Sequence, residues 1–204
     1  MRRVGVLISG RGSNLQALLD AARAGALGGE VVAVVSNVPE ARGLERARQA
    51  GVPAFVQDHR GRTRDEHDAA VQRILAEQGV ELVCLAGYMR LLSAGFVRAH
   101  AERILNVHPS LLPAFPGLEA QQQAWEHGVK VTGATVHFVD EALDTGPIVL
   151  QEAVSVRATD TPATLSARIL EAEHRIYPRA ARIVLEGRYR RVDRRIVVEE
   201  GEGA

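Results

Sequence analysis

The sequence predicts a single α/β domain on a Rossmann-like open sheet. The sheet is parallel in its N-terminal half and antiparallel in its C-terminal part, with helices on both faces. Three observations predict it. Short, continuously apolar runs rich in Val, Ile and Leu recur along the chain, as strands buried on both faces require. Helix-spaced segments alternate with them through the first half, and such alternation implies right-handed βαβ crossovers. In the second half two strand-like runs follow each other across a short loop, which suits an antiparallel pair.

The elements follow in order. VGVLI (4–8) is the first buried strand. A helix runs from Ser13 to about Ala24, with Leu15, Leu18, Leu19 and Ala22 at helical spacing and Ser13 as its N-cap candidate. EVVAVVS (30–36) is a strand, GLERARQAG (43–51) a short helix, and PAFV (53–56) a strand. The helix from Arg64 to about Gln78 sets Val71, Ile74 and Leu75 on one face. ELVCLAG (81–87) is a buried strand, and RILNV (103–107) another after a short helix. GATVHFV (133–139) and PIVLQEAVSV (147–156) form the antiparallel pair across DEALDTG. A long helix spans about Pro162 to Leu185, turning Leu165, Ile169, Ala172 and Ile176 inward, and Pro178 predicts a kink. No repeat or low-complexity linker divides the chain. Residues 1–190 are expected as one domain and 191–204 as a charged peripheral tail.

Composition narrows the function classes. The 204 residues suit one domain with a sizeable core. Lys plus Arg and Asp plus Glu both number 25, so no nucleic-acid or polybasic membrane surface is expected. The one cysteine, Cys84, lies in an apolar run and reads as a buried structural thiol. The N-terminus leads straight into a strand and no apolar run reaches membrane-spanning length, so a cytoplasmic protein is expected. The sequence leaves monomer and homodimer both open.

Two stretches carry chemistry. In SGRGSNL (9–15) a glycine turn joins a buried strand to a helix start, presenting free backbone N–H groups at the positive end of a helix dipole. Such a turn binds a phosphate or merely joins the two elements. The dinucleotide fingerprint fails, because its third glycine position is Leu15 and the next strand ends in Ser36 and Asn37 without an acid. NAD is disfavoured, and a mononucleotide-like or sugar-phosphate ligand fits better.

The second stretch is ILNVHPSLLPAFPG (104–117). Asn106 and His108 leave the end of a strand on the same side, where open α/β sheets bind ligands. Taken alone, N-x-H also suits a Pro-rich turn with a satisfied histidine. Asp144, in a glycine-bounded loop between the later strands, can reach across the sheet top. An Asn, a His and an Asp converging fit transfer of an acyl or formyl group to an amine. The amide and a protonated imidazole would hold the developing oxyanion, and a neighbouring carboxylate favours the charged ring. No H-E-x-x-H, cysteine pair or acid-rich cluster calls for a metal.

SGxGSNL, LAGYMRLLS (85–93), NVHPSLLPAFPG (106–117), GATVHFVDEALDTGPI (133–148) and EHRIYP (173–178) occur in order from about Val4 to Tyr189. On these motifs the chain resembles the formyltetrahydrofolate-dependent formyltransferases, in particular the phosphoribosylglycinamide formyltransferases of purine biosynthesis. The resemblance implies 10-formyltetrahydrofolate as co-substrate and 5-phosphoribosylglycinamide as acceptor, with no metal. It implies Asn106, His108 and Asp144 as the catalytic trio. Gly12, Ser13 and Asn14 would hold the ribonucleotide phosphate, with Glu173 near the ribonucleotide. Arg64, Met89, Arg90, Leu91, Leu92 and Asn106 would line the folate pocket. The chain departs from the pattern at Ala114, where many members carry Lys, and at Glu119, where many carry His. Methionyl-tRNA formyltransferases share N-x-HPSLLP but need an added domain and a basic face. Formyltetrahydrofolate hydrolases usually carry an extra N-terminal domain. A noncatalytic phosphate-binding module is the alternative from another class.

Overall fold

The computed structural model describes residues 1–199; the end of the expected tail, 200–204, lies outside the described residues. The first strand, β1 (Arg2–Ile8), is followed by α1 (Ser13–Arg23), β2 (Gly29–Ser36), α2 (Gly43–Gln49) and β3 (Ala54–Val56). Then come α3 (Arg64–Glu77), β4 (Leu82–Leu85), α4 (Ala94–Ala99), β5 (Ile104–His108) and α5 (Ala120–Glu126). The chain continues through β6 (Val131–Phe138), β7 (Ile148–Ser155), α6 (Pro162–Glu186), β8 (Tyr189–Val192) and β9 (Arg195–Val198).

Seven strands form one sheet in the order β3-β2-β1-β4-β5-β6-β7. The pairs from β3 to β5 are parallel, and β5–β6 and β6–β7 are antiparallel. The expected mixed sheet is therefore present. Its apolar strands bury both faces, giving two cores. Leu15 and Leu18 of α1, Leu44 and Ala47 of α2, and Leu165 and Ile169 of α6 pack on one face. Val71 and Leu75 of α3 and Phe96 and Val97 of α4 cover the other. Each fully buried leucine or isoleucine contributes about 1.5–3 kcal/mol.

From β1 the chain steps outward to β2 and β3, then returns to β4 on the other side of β1. That reversal opens a crevice between the carboxyl ends of β1 and β4, where open α/β sheets bind ligands. The buried Tyr177 hydroxyl of α6 lies 2.9 Å from the Leu85 carbonyl and 3.0 Å from that of Leu105. It ties the long helix to β4 and β5 just below the crevice. The helix is continuous through Pro178.

Three local outcomes differ from the sequence reading. Ser13 is not the cap of α1: Gly12 takes that place at φ 72°, and no side chain caps the helix. A left-handed turn is cheap only for glycine. A Cβ on Gly12 would also meet the Gly43 Cα at 2.7 Å, so the glycine lets α2 approach α1 closely. The helix α5 lies beyond the HPSLLP stretch, where no element was expected. Finally, residues 189–198 pair as an antiparallel hairpin that crosses into the expected tail, where no paired element was described. Phe138 and Tyr189 rings meet 5.7 Å apart, and Arg191 pairs with Glu102, so the hairpin lies against β6 and the connection before β5.

Candidate active site

The carboxyl end of β5 places Asn106 and His108, two residues apart on one pleat, on the same side of the sheet. Antiparallel register sets Asn106 opposite His137 and His108 opposite Thr135. The β6–β7 connection carries Asp144 back over this point at φ 53°. Its Oδ2 lies 3.5 Å from His108 Nδ1, and its Oδ1 lies 3.7 Å from His137 Nε2. The Gly117 N–H donates to Asp144 Oδ2 at 2.8 Å, giving this buried carboxylate a partner. His108 thus meets Asp144 directly, and Asn106 reaches the same carboxylate through His137.

His137 is the member that sequence reasoning missed. It is 2% exposed, and burial pushes its imidazole below the ordinary value against smaller pulls from the Phe138 carbonyl and Asp144. Its Nδ1 donates to the Phe138 carbonyl at 2.9 Å, leaving Nε2 to accept from the Asn106 amide at 3.3 Å. A neutral ring in this tautomer orients the amide. A lone polar residue inside GATVHFV was the available signal.

His108 is 5% exposed, and its Nε2 lies 2.8 Å from the Phe115 carbonyl. A carbonyl only accepts, so Nε2 carries the proton and is the ring's donor. The connection bearing Phe115 is pinned from below. The Thr135 hydroxyl donates to the Ser110 carbonyl at 2.7 Å and accepts from Leu112 N–H at 3.1 Å. Ala114 and Glu119, the departures from the family pattern, are exposed on the same connection.

The other expected residues fall around the crevice. Gly12, Ser13 and Asn14 form the start of α1, whose first N–H groups lack intrahelical partners. The Asn14 amide donates to Glu173 Oε2 of α6 at 2.6 Å, while its Oδ1 is buried without a partner. Arg64 is exposed at the start of α3. Met89 and Leu91 are 66% and 56% exposed, and Leu92 packs against the α3–α4 core. Arg90 is partly buried, with its Nε lacking a partner. Among the described residues, no hydrogen bond or ion pair joins Arg64 to Asn106 or to 89–92. No cluster of three or more His, Cys, Asp or Glu placed to hold a metal occurs among the described residues. No helix there is long and apolar enough to cross a membrane.

Burial raises Glu173 to about 7, opposed by the Asn14 bond. The fold therefore favours protonated Glu173, which holds a proton that the unfolded chain, with its ordinary value of 4.5, releases. This stabilisation is full below pH 4.5 and is lost as pH rises through about 7. Glu173→Gln should flatten that dependence and exceed the wild type above pH 7 by on the order of 3 kcal/mol. Urea unfolding at pH 5 and pH 8 checks it; parallel curves for the two proteins would count against it.

Residues 2–181 match the family model described as Formyl transferase. The trifunctional purine biosynthetic protein adenosine-3 of Drosophila melanogaster is 51% identical over 189 residues, covering 91% of this chain and 14% of that protein. The chain spans only 14–19% of the length of such trifunctional relatives. The phosphoribosylglycinamide formyltransferase of Escherichia coli (strain K12) is 45% identical over 184 residues, covering 90% of this chain and 87% of that one. The crystal structure of glycinamide ribonucleotide transformylase 1 from Symbiobacterium toebii superimposes with a TM-score of 0.96 at 55% identity, covering 98% of this chain and 95% of that one. With the family match running from β1 into α6 and enclosing the Asn106, His108 and Asp144 cluster, the chain belongs to the formyl transferase family.

Proposed function

We propose that the chain transfers the formyl group of 10-formyltetrahydrofolate to the amine of 5-phosphoribosylglycinamide in de novo purine biosynthesis. The products are formylglycinamide ribonucleotide and tetrahydrofolate. The observation that carries this reading is the convergence of Asn106, His108 and Asp144 at the end of β5, beside the switch-point crevice. The amine attacks the formyl carbon and the carbonyl electron pair moves to oxygen. The Asn106 amide and the His108 ring supply hydrogen-bond donors to that oxyanion. Collapse of the tetrahedral intermediate breaks the bond to N10 of the folate. The amine gives up one proton and N10 takes one, so the exchange is balanced, with His108 and Asp144 placed to relay it. The Phe115 carbonyl stands at His108 Nε2, in the direction the formyl oxygen must take, so it yields that position when substrate binds.

In this reading Gly12, Ser13 and Asn14 hold the phosphate, and Glu173 faces the ribonucleotide. Arg64 and 89–92 line the folate side, where Tyr88 and Arg90–Leu92 make no hydrogen bonds to the rest of the fold among the described residues. Both partners are small molecules, and the reaction belongs in the cytoplasm. The zero net charge fits a chain that docks on neither nucleic acid nor membrane.

The direct test is tetrahydrofolate formation from 10-formyltetrahydrofolate with and without 5-phosphoribosylglycinamide. Turnover should depend on the ribonucleotide; formate release without it would point to hydrolysis instead. Ser13→Asp tests the phosphate placement. The new carboxylate favours the helix start but repels phosphate. The KM for the ribonucleotide should rise about tenfold or more, with the folate KM nearly unchanged. Equal effects on both substrates would move the phosphate elsewhere.

A further inference from the structure

The segment 88–93, between β4 and α4, is hydrogen-bonded at two points to elements that precede it in the chain. Met89 N–H donates to Ser9 Oγ at 2.8 Å, and Ser93 N–H donates to Asp68 Oδ2 at 2.6 Å. Among the described residues, Tyr88, Arg90, Leu91 and Leu92 make no hydrogen bond to the rest of the fold, and the Tyr88 Oη and Arg90 Nε atoms are buried beside each other's side chains. Tyr88 and Leu92 seat this wall of the crevice against the α3–α4 core, and its two pins supply its polar ties to the rest of the fold.

The Asp68 pin is the deeper. Its carboxylate is 1% exposed on α3, has no hydrogen bond or ion pair to Asn106, His108 or Asp144 among the described residues, and is not used by the formyl-transfer steps. Its Oδ1 lies 3.3 Å from Nδ1 of His67, which is fully buried, and His67 Nε2 lies 2.8 Å from the Gln57 carbonyl. One carboxylate so joins α3, the chain leaving β3 and the 88–93 segment. Arg64 lies four residues before Asp68, on the same side of α3 one turn earlier. The spacing between Arg64 and 89–92 is thereby set through Asp68. A buried charge is costly unless hydrogen-bonded, so a shallower tie would be the default.

We propose that Asp68 is a positioning residue for the folate side of the crevice: it fixes the 88–93 wall against the Arg64 end of α3, and its loss weakens folate binding selectively. The inference rests on the folate reading of Arg64 and 89–92 given above. Steady-state kinetics with each substrate varied, on four variants, tests it. Ser93 has φ −68° and ψ 151°, which suit proline, so Ser93→Pro removes the N–H donor along with the hydroxyl cap on α4. Ser93→Gly loses the same cap and keeps the N–H.

Ser93→Pro should raise the folate KM about tenfold or more and leave the ribonucleotide KM within about twofold, as for loss of a hydrogen bond to a charged group. Ser93→Gly should stay near wild type in both. Asp68→Asn, which keeps an oxygen for Ser93 N–H and offers an amide to His67, should preserve the folate KM, whereas Asp68→Ala should not. Should Ser93→Pro fail to fold, the Asp68→Ala and Asp68→Asn pair decides. Parallel rises in both KM values, or matching effects of Ser93→Pro and Ser93→Gly, would overturn the role. Arg64→Ala and Leu92→Ala separate the two failures. If these raise the folate KM while Ser93→Pro does not, the pin alone is wrong. If they leave it unmoved, the folate reading is wrong and the inference falls with it.

Discussion

Replacing Asn106 or His108 by alanine should lower kcat by about two to three orders of magnitude while leaving both KM values within a few-fold. The expectation follows from where the two side chains sit. Both project from one pleat of β5 at the crevice, where Asn106 is half-buried and His108 is 5% exposed. A donor held there stabilises the oxyanion more than the planar formyl group, so its loss appears in kcat and not in binding. The Asn106 substitution also strips His137 Nε2 of its donor, although that ring stays anchored through Nδ1 to the Phe138 carbonyl. His108→Ala frees the Phe115 carbonyl, so a modest change in the ribonucleotide or folate KM accompanies the fall in kcat. A kcat within a few-fold of wild type for either variant, roughly a kcal/mol or less, would remove that residue from the oxyanion site.

The second large effect belongs to Asp144, and the backbone makes the experiment clean. Asp144 adopts φ 53°, a left-handed conformation that asparagine tolerates as readily as aspartate. Asp144→Asn therefore keeps the turn and the size, and its amide oxygen still accepts from Gly117 N–H. What it removes is the negative charge 3.5 Å from His108 Nδ1. With that charge gone, the proton relay between amine and N10 loses the carboxylate that His108 faces. A fall in kcat of about a hundredfold or more is expected, within the usual range for general acid–base groups. If Asp144 only supports the turn, Asn will replace it with kcat nearly intact. Asp144→Ala is the poorer probe, because the left-handed backbone adds strain of about 1 kcal/mol or more.

The alternation of apolar runs and helical spacing determined the sheet, its parallel half and its antiparallel end, because strands buried on both faces must be continuously apolar. The period of two along a strand put Asn106 and His108 on one side. Helix spacing turned Leu165, Ile169, Ala172 and Ile176 inward. The pattern T-x-x-E at Thr63–Glu66 marks the start of α3, where both halves of a capping box are made. All of these are properties of neighbours in the chain.

What tertiary structure alone decided depends on register and approach between distant segments. His137 joins the site because β6 pairs with β5 in the register that sets it opposite Asn106, and a one-residue slip would turn it to the other face. Gly12 instead of Ser13 ends the turn into α1 because α2 packs within Cβ distance of it. Glu173 meets Asn14 across 159 residues of chain, and Asp68 meets Ser93 across 25. Local sequence specifies which side chains can bond and on which face they stand. The folded packing of α3, α6 and the strand ends chooses which of them come within reach, since a buried polar group stays bearable only where another element brings it a partner.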